Sequence, residues 1–198
     1  MEKLDLRKMH PELFKAKAEP ALLEVPELNY LMIDGHGDPG GEDFQASIGA
    51  LYQLSYTMKF QSKARGQDFT VMALEGDYRW QEGAMGSMDW TLMTMQPDLI
   101  GPVELEEALL AVRRKKGENP YLARAKLQRV WYGMCVHLLH VGPYDQEKAS
   151  IDKIEAFMIT RGLRMNGVHH EIYISDPNRV APERLKTIIR YPVREIFP

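Results

Sequence analysis

Val136-His137-Leu138-Leu139-His140-Val141-Gly142-Pro143-Tyr144-Asp145 passes from a strand through a Gly-Pro turn into a helix, and the chain contains an upstream counterpart. The apolar run ending at Val141 reads as a strand, and Gly142-Pro143 stops it. Asp145 is a candidate N-cap, Ile151, Ile154 and Met158 recur at helical spacing, and Gly162 is a candidate C-cap. The counterpart reads Leu31-Met32-Ile33-Asp34-Gly35-His36-Gly37-Asp38-Pro39, followed by Phe44, Ile48, Leu51, Tyr52 and Ser55 on one helical stripe. Two strands are expected after each helix: 69–74 and 90–95 in the first half, 169–175 and 185–191 in the second. The chain therefore reads as β-α-β-β twice, an α+β fold with a tandem repeat over 29–98 and 129–198. Two such units joined side by side would set a central ligand groove between pseudo-symmetric halves.

The halves are linked by residues 99–128. Gly101-Pro102-Val103-Glu104 opens a connecting helix with proline in its first turn, and Lys115-Lys116-Gly117 closes it with cations and a glycine. Residues 1–28 carry Pro11, Pro20 and Pro26 and read as an extended lead-in to a single domain spanning 1–198.

The chain has 198 residues, a net charge of −3 and a single cysteine. That length suffices for a proper core, and the charge gives no nucleic-acid footprint. Cys135 lies in the apolar run Met134-Cys135-Val136 and reads as core. With no second cysteine an internal disulfide is excluded, and a reducing cytoplasm is the expected compartment. The charged start Met1-Glu2-Lys3-Leu4-Asp5-Leu6-Arg7-Lys8 does not read as a signal peptide, and no stretch has the length of a membrane span.

The candidate site centres on His169-His170-Glu171-Ile172-Tyr173-Ile174-Ser175-Asp176-Pro177. Alternation on a strand places His169, Glu171 and Tyr173 on one face, opposite His170, Ile172 and Ile174. Glutamate is disfavoured in strands and costly to bury unpaired, so an acid among rings points to a ligand groove. Raised by desolvation, Glu171 would serve as a general acid or base; kept ionised, it would attract a cationic aromatic ligand. Trp80, Trp90, Trp131, Tyr132 and Tyr144 stand near strand ends or turns, and Trp80 and Trp90 flank the expected turn 81–89. Glu75, in Ala73-Leu74-Glu75-Gly76, is a second strand-end acid, and His140 stands beside the Gly-Pro turn.

Other chemistries find little support. Gly35-His36-Gly37-Asp38-Pro39-Gly40 matches a dinucleotide fingerprint in form, but Asp34, Asp38, Glu42 and Asp43 crowd the position a pyrophosphate would need. The second turn keeps one glycine, so the glycines read as turn geometry and no cofactor is expected. His137 and His140 point to opposite faces, as do His169 and His170, so the histidines read as structural and no metal site is expected. Serine-, zinc- and thiol-hydrolase motifs do not occur.

At these residues the chain resembles the GyrI-like small-molecule-binding family. The segments that carry the resemblance are Leu138-Leu139-His140-Val141-Gly142-Pro143-Tyr144-Asp145, residues 169–177, and Leu185-Lys186-Thr187-Ile188-Ile189-Arg190-Tyr191-Pro192-Val193. Gly35-His36-Gly37-Asp38-Pro39 and Leu74-Glu75-Gly76 also look like family motifs. The resemblance implies a pair of SHS2-type β-α-β-β units around a ligand groove, with Glu171 as its central acid. It implies a free-standing relative of hydrolases that open the cyclopropane of yatakemycin- and duocarmycin-type DNA alkylators, a detoxification role. Tyr144 and Glu171 would then be catalytic, and Trp80, Trp90, Trp131, Tyr132, Tyr173, Glu75 and His140 would hold a hydrophobic aromatic molecule. A non-catalytic drug sink or an inhibitor of DNA gyrase is the alternative. Neither nucleic acid nor membrane is an expected partner.

Overall fold

The computed structural model describes residues 3–80 and 88–196. Helices and antiparallel strands form a mixed α+β fold with two compact units. One comprises residues 1–9 and 28–130; the other comprises 10–27 and 131–198.

In the first unit, β1 (Ala21–Gly37) enters at Leu28 and is followed by α2 (Glu42–Ala64), β2 (Leu74–Trp80), β3 (Met88–Gln96) and α3 (Pro102–Lys116); a short α1 (Leu6–Met9) precedes them. β3 lies between β1 and β2, pairing Ile33 with Leu92 and Gly76 with Leu92 across its two edges. α2 turns Phe44, Ala50, Leu51, Leu54 and Met58 inward at helical spacing. α3 begins with Pro102, Glu104 bonds back to the Gly101 amide, and Gly117 ends the helix at φ 83°. Pro102 and Gly117 stand where the sequence predicts, and the Glu104 bond to the Gly101 amide is an addition to that reading.

In the second unit, β4 (Lys126–Val141) joins at Trp131 and is followed by α4 (Lys148–Thr160), β5 (Leu163–Met165), β6 (His169–Tyr173) and β7 (Lys186–Glu195). β7 pairs antiparallel with β4, β5 and β6. α4 packs Ile154 and Met158 onto Val136, Leu138, Ile189, Tyr191 and Val193. Glu171 stands directly opposite Ile189, so it projects from the face that α4 covers.

Four expectations are corrected. The strand expected over 69–74 forms at Leu74–Trp80: the ladder to β3 begins at Leu74, while Phe69 makes an isolated bridge to Leu4. Glu75, Gly76 and Asp77 are poor strand formers, and β3 supplies the hydrogen bonds that keep them extended. α4 starts after Glu147, not Asp145, because Tyr144–Gln146 forms a 3-10 turn first. β5 is additional, a short strand after Gly162 closes α4 at φ 63°. The lead-in is also structured. Leu6, Leu13 and Val25 are buried, Pro11–Phe14 forms a 3-10 turn, and β1 starts at Ala21. The turn expected at 81–89 lies outside the described residues except for Met88 and Asp89.

No helix among the described residues is long and apolar enough to cross a membrane.

Candidate functional site

Glu171 is buried on β6, and His169 lies on the same face two residues before it, as strand alternation requires. The His169 ring bridges two partners: Nε2 lies 2.6 Å from Glu171 Oε1, and Nδ1 lies 2.6 Å from Tyr191 Oη on β7. Tyr191 also meets the imidazole edge-on, with ring centroids 5.1 Å apart. A third group comes from outside the sheet. Glu147, the residue before α4, is buried with its carboxyl beside that of Glu171. Donor atoms of Glu147, His169 and Glu171 all lie within 4.8 Å of one another.

Burial pushes the Glu147 carboxyl up to about 9, helped by the charge of Glu171 and a hydrogen bond with it. For Glu171, burial also pulls upward, but hydrogen bonding and charge from His169, with hydrogen bonds from Tyr173 and Glu147, outweigh it and hold Glu171 low. Near neutral pH the pair is therefore a protonated Glu147 donating to an ionised Glu171, two carboxyls separated by environment. Glu147 Oε1 remains buried with no hydrogen-bond partner.

Tyr144 and Tyr173 stand beside this pair, edge to face, with centroids 5.7 Å apart. Tyr144 is 41% exposed and forms the outer side of the site. Burial, then the charges of Glu171, Glu147 and Asp176, raise its phenol. It thus stays a hydrogen-bond donor at neutral pH.

The structure brings three of the sequence-predicted residues together: Glu171, Tyr144 and Tyr173. His140 ties the adjacent turn, with Nδ1 3.0 Å from Ser150 Oγ and Nε2 3.2 Å from the Pro143 carbonyl. Tyr132 lies against His170, centroids 4.8 Å apart, on the opposite face of β6 from Glu171. Trp131 is exposed at the start of the second unit. Glu75, Trp80 and Trp90 belong to the first unit. Glu75 is fully buried 3.3 Å from Tyr30 Oη, and Trp80 is exposed. Trp90 is buried edge-on against Phe44 at 5.2 Å and lies so close over Gly35 that an added Cβ would overlap its ring. Gly35 is therefore required by packing, a different reason from the turn geometry its motif suggests.

Glu147 and Tyr191 are the site residues that sequence reasoning missed. An acid at the start of a helix ordinarily reads as a partner of the helix dipole, and Tyr191 reads as one more ring in an apolar strand. The histidine comparison set His169 only against other histidines, whereas its partners are carboxyls. A groove of about 1010 Å³ lies between α2 and α3, but its lining, including Tyr52, Tyr56, Phe60 and Tyr121, contains no acid. Acid–base chemistry therefore belongs to the Glu147–Glu171 pair.

The GyrI-like small molecule binding domain matches residues 18–194. Among curated proteins, none matches the chain significantly. An uncharacterized conserved protein from Listeria innocua is 37% identical, with 97% of this chain and 100% of that one aligned at a TM-score of 0.91. A hydrolase from Listeria innocua is 39% identical over 97% of this chain and 100% of its own, at a TM-score of 0.88. The EcmrR C-terminal domain, 17% identical over 90% of this chain and 98% of its own at a TM-score of 0.59, shares the fold. The match over most of the chain's length gives the conclusion: this chain belongs to the GyrI-like small-molecule-binding domain family.

Proposed function

We propose that this protein is a cofactor-independent hydrolase of flat, hydrophobic electrophiles carrying a strained ring, such as cyclopropane-bearing DNA alkylators, and that it detoxifies them. The single observation behind this reading is the buried Glu147–Glu171 pair, with donor atoms within 4.8 Å of each other, beside the phenol of Tyr144. The hydrolase from Listeria innocua supports the reaction class.

In the proposed reaction a water oxygen bonds to the ring methylene and Glu171 accepts the proton that water gives up. The ring C–C bond breaks, and its electron pair moves through the conjugated system to the carbonyl oxygen. Tyr144 hydrogen-bonds that oxygen as phenolate charge develops on it, and the proton of Glu147 restores neutrality. Ring strain supplies much of the driving force, so few groups suffice. The ligand would lie against Tyr144 and Tyr173, the two rings beside the carboxyl pair. The protein would act in the cytoplasm as a single domain over 1–198.

Glu171→Gln keeps the hydrogen-bonded shape but cannot take a proton. With a cyclopropane-bearing alkylator as substrate, it should bind as the wild type does and lose about 10²–10⁴-fold in turnover. Chromatography with mass detection reads the product heavier by one water, and unchanged turnover in the variant would defeat the proposal. An ionised Glu171 among the rings of His169 and Tyr173 also suits non-catalytic capture, whether as a drug sink or an inhibitor of DNA gyrase. Stoichiometric retention of intact compound by the wild type would favour that second reading.

A further inference from the structure

The Glu147–His169–Glu171 cluster has a property that acid–base chemistry does not use. Its donors come from two elements, β6 and the residue that opens α4, and converge from different directions. We infer that Glu147, His169 and Glu171 form a binding site for one divalent transition-metal ion of the zinc type.

Three observations carry it. The donor atoms lie within 4.8 Å of one another, whereas ligands about 2.0–2.2 Å from a shared ion stand roughly 3–4 Å apart. Closing around an ion needs side-chain rotations of under about 1 Å, with the His169–Glu171 hydrogen bond opening by a similar amount. Glu147 is 7% exposed, and its Oε1 is a buried acceptor without a hydrogen-bond partner. A cation supplies what that oxygen lacks.

His169 is also oriented as a ligand. Its Nδ1 meets the Tyr191 hydroxyl, so when an ion displaces the Nε2–H bond to Glu171, Nδ1–H can donate to Tyr191 and Nε2 can turn its lone pair to the ion. Metal-bound imidazoles are usually fixed by such a bond from the other ring nitrogen.

One imidazole and two carboxylates suit zinc, manganese or ferrous iron; calcium and magnesium prefer more oxygens than the cluster holds. Two carboxylates balance the ion's charge. The ion and the hydrogen bond between the two carboxyls are alternative occupants of one position. Ion binding is measured without substrate, so it stands or falls independently of the hydrolase proposal.

The test uses the full chain stripped of metal by a chelator and titrated with zinc chloride in a calorimeter. One ion per chain is expected, with affinity reduced at least about tenfold in both Glu147→Gln and His169→Ala. Glu147→Gln preserves the size and polarity of the side chain, which keeps the test decisive if His169→Ala does not fold. In zinc-soaked crystals, anomalous diffraction should place the ion about 2.0–2.2 Å from both carboxylates and His169 Nε2. Absence of saturable binding, unchanged affinity in Glu147→Gln, or an ion seated elsewhere, such as at His36 and Asp89, would overturn the inference.

Discussion

Replacing Glu147 with Gln should make the protein more stable as pH rises. The Glu147 carboxyl keeps its proton to about 9 in the folded chain, against 4.5 for the free group. Between those values the folded state holds a proton that the unfolded state has released. The contribution of Glu147 is therefore fully present below pH 4.5 and is lost as pH rises toward 9. The slope is about 1.4 kcal/mol per pH unit for one proton, or about 4 kcal/mol at most between about pH 5 and about pH 8. Glutamine has no proton to lose, and its amide can donate to Glu171 as the acid does. Glu171, held low, stays ionised through this window in both proteins, so its own linkage cancels from the comparison. Urea unfolding followed by tryptophan fluorescence at a series of pH values measures the difference. The variant should gain on the wild type steadily with pH. Parallel stability curves, or a variant that weakens toward pH 8, would refute the assignment of the shared proton to Glu147.

Two further outcomes follow from the packing. Gly35→Ala should destabilise by about 1–3 kcal/mol, because the new methyl overlaps the Trp90 ring and the core around Phe44 must shift; an unchanged thermal midpoint would contradict that packing. Burial pushes the Cys135 thiol up to about 12, so a thiol-alkylating reagent at mild alkaline pH should label the unfolded chain and spare the folded one. Rapid labelling of the folded protein would show Cys135 to be open to solvent.

The sequence was most legible where local signals agree. Pro102, Glu104 and Gly117 mark both ends of α3, and Gly162 marks the end of α4, because capping is decided within one turn. The alternation of His169, Glu171 and Tyr173 correctly put the acid and its histidine on one face. β2 was misplaced because Phe69 and Met72 supply apolar content without a ladder, while Leu74–Trp80 is held extended by pairing with β3. Glu147 was hidden for a similar reason: nothing within α4 reveals that this acid lies against Glu171, 24 positions later. The partnership of His169 with Tyr191 likewise requires the register of β6 on β7.

Arg190 has a consequence for how the chain is made. It is 1% exposed, and its guanidinium donates to the Leu13 carbonyl at 2.8 Å, 177 positions earlier. The Leu139 amide donates in the same way to the Lys17 carbonyl at 2.7 Å. Residues 10–27 thus leave the ribosome well before their partners, with nearly all of the first unit made in between. A loop of that length closes slowly, since its entropy must be lost before any contact compensates. The first unit can gather its sheet and helices while residues 10–27 wait, so the half that holds Glu147, His169 and Glu171 is completed last. Cutting the chain near its beginning would then damage the site at its far end.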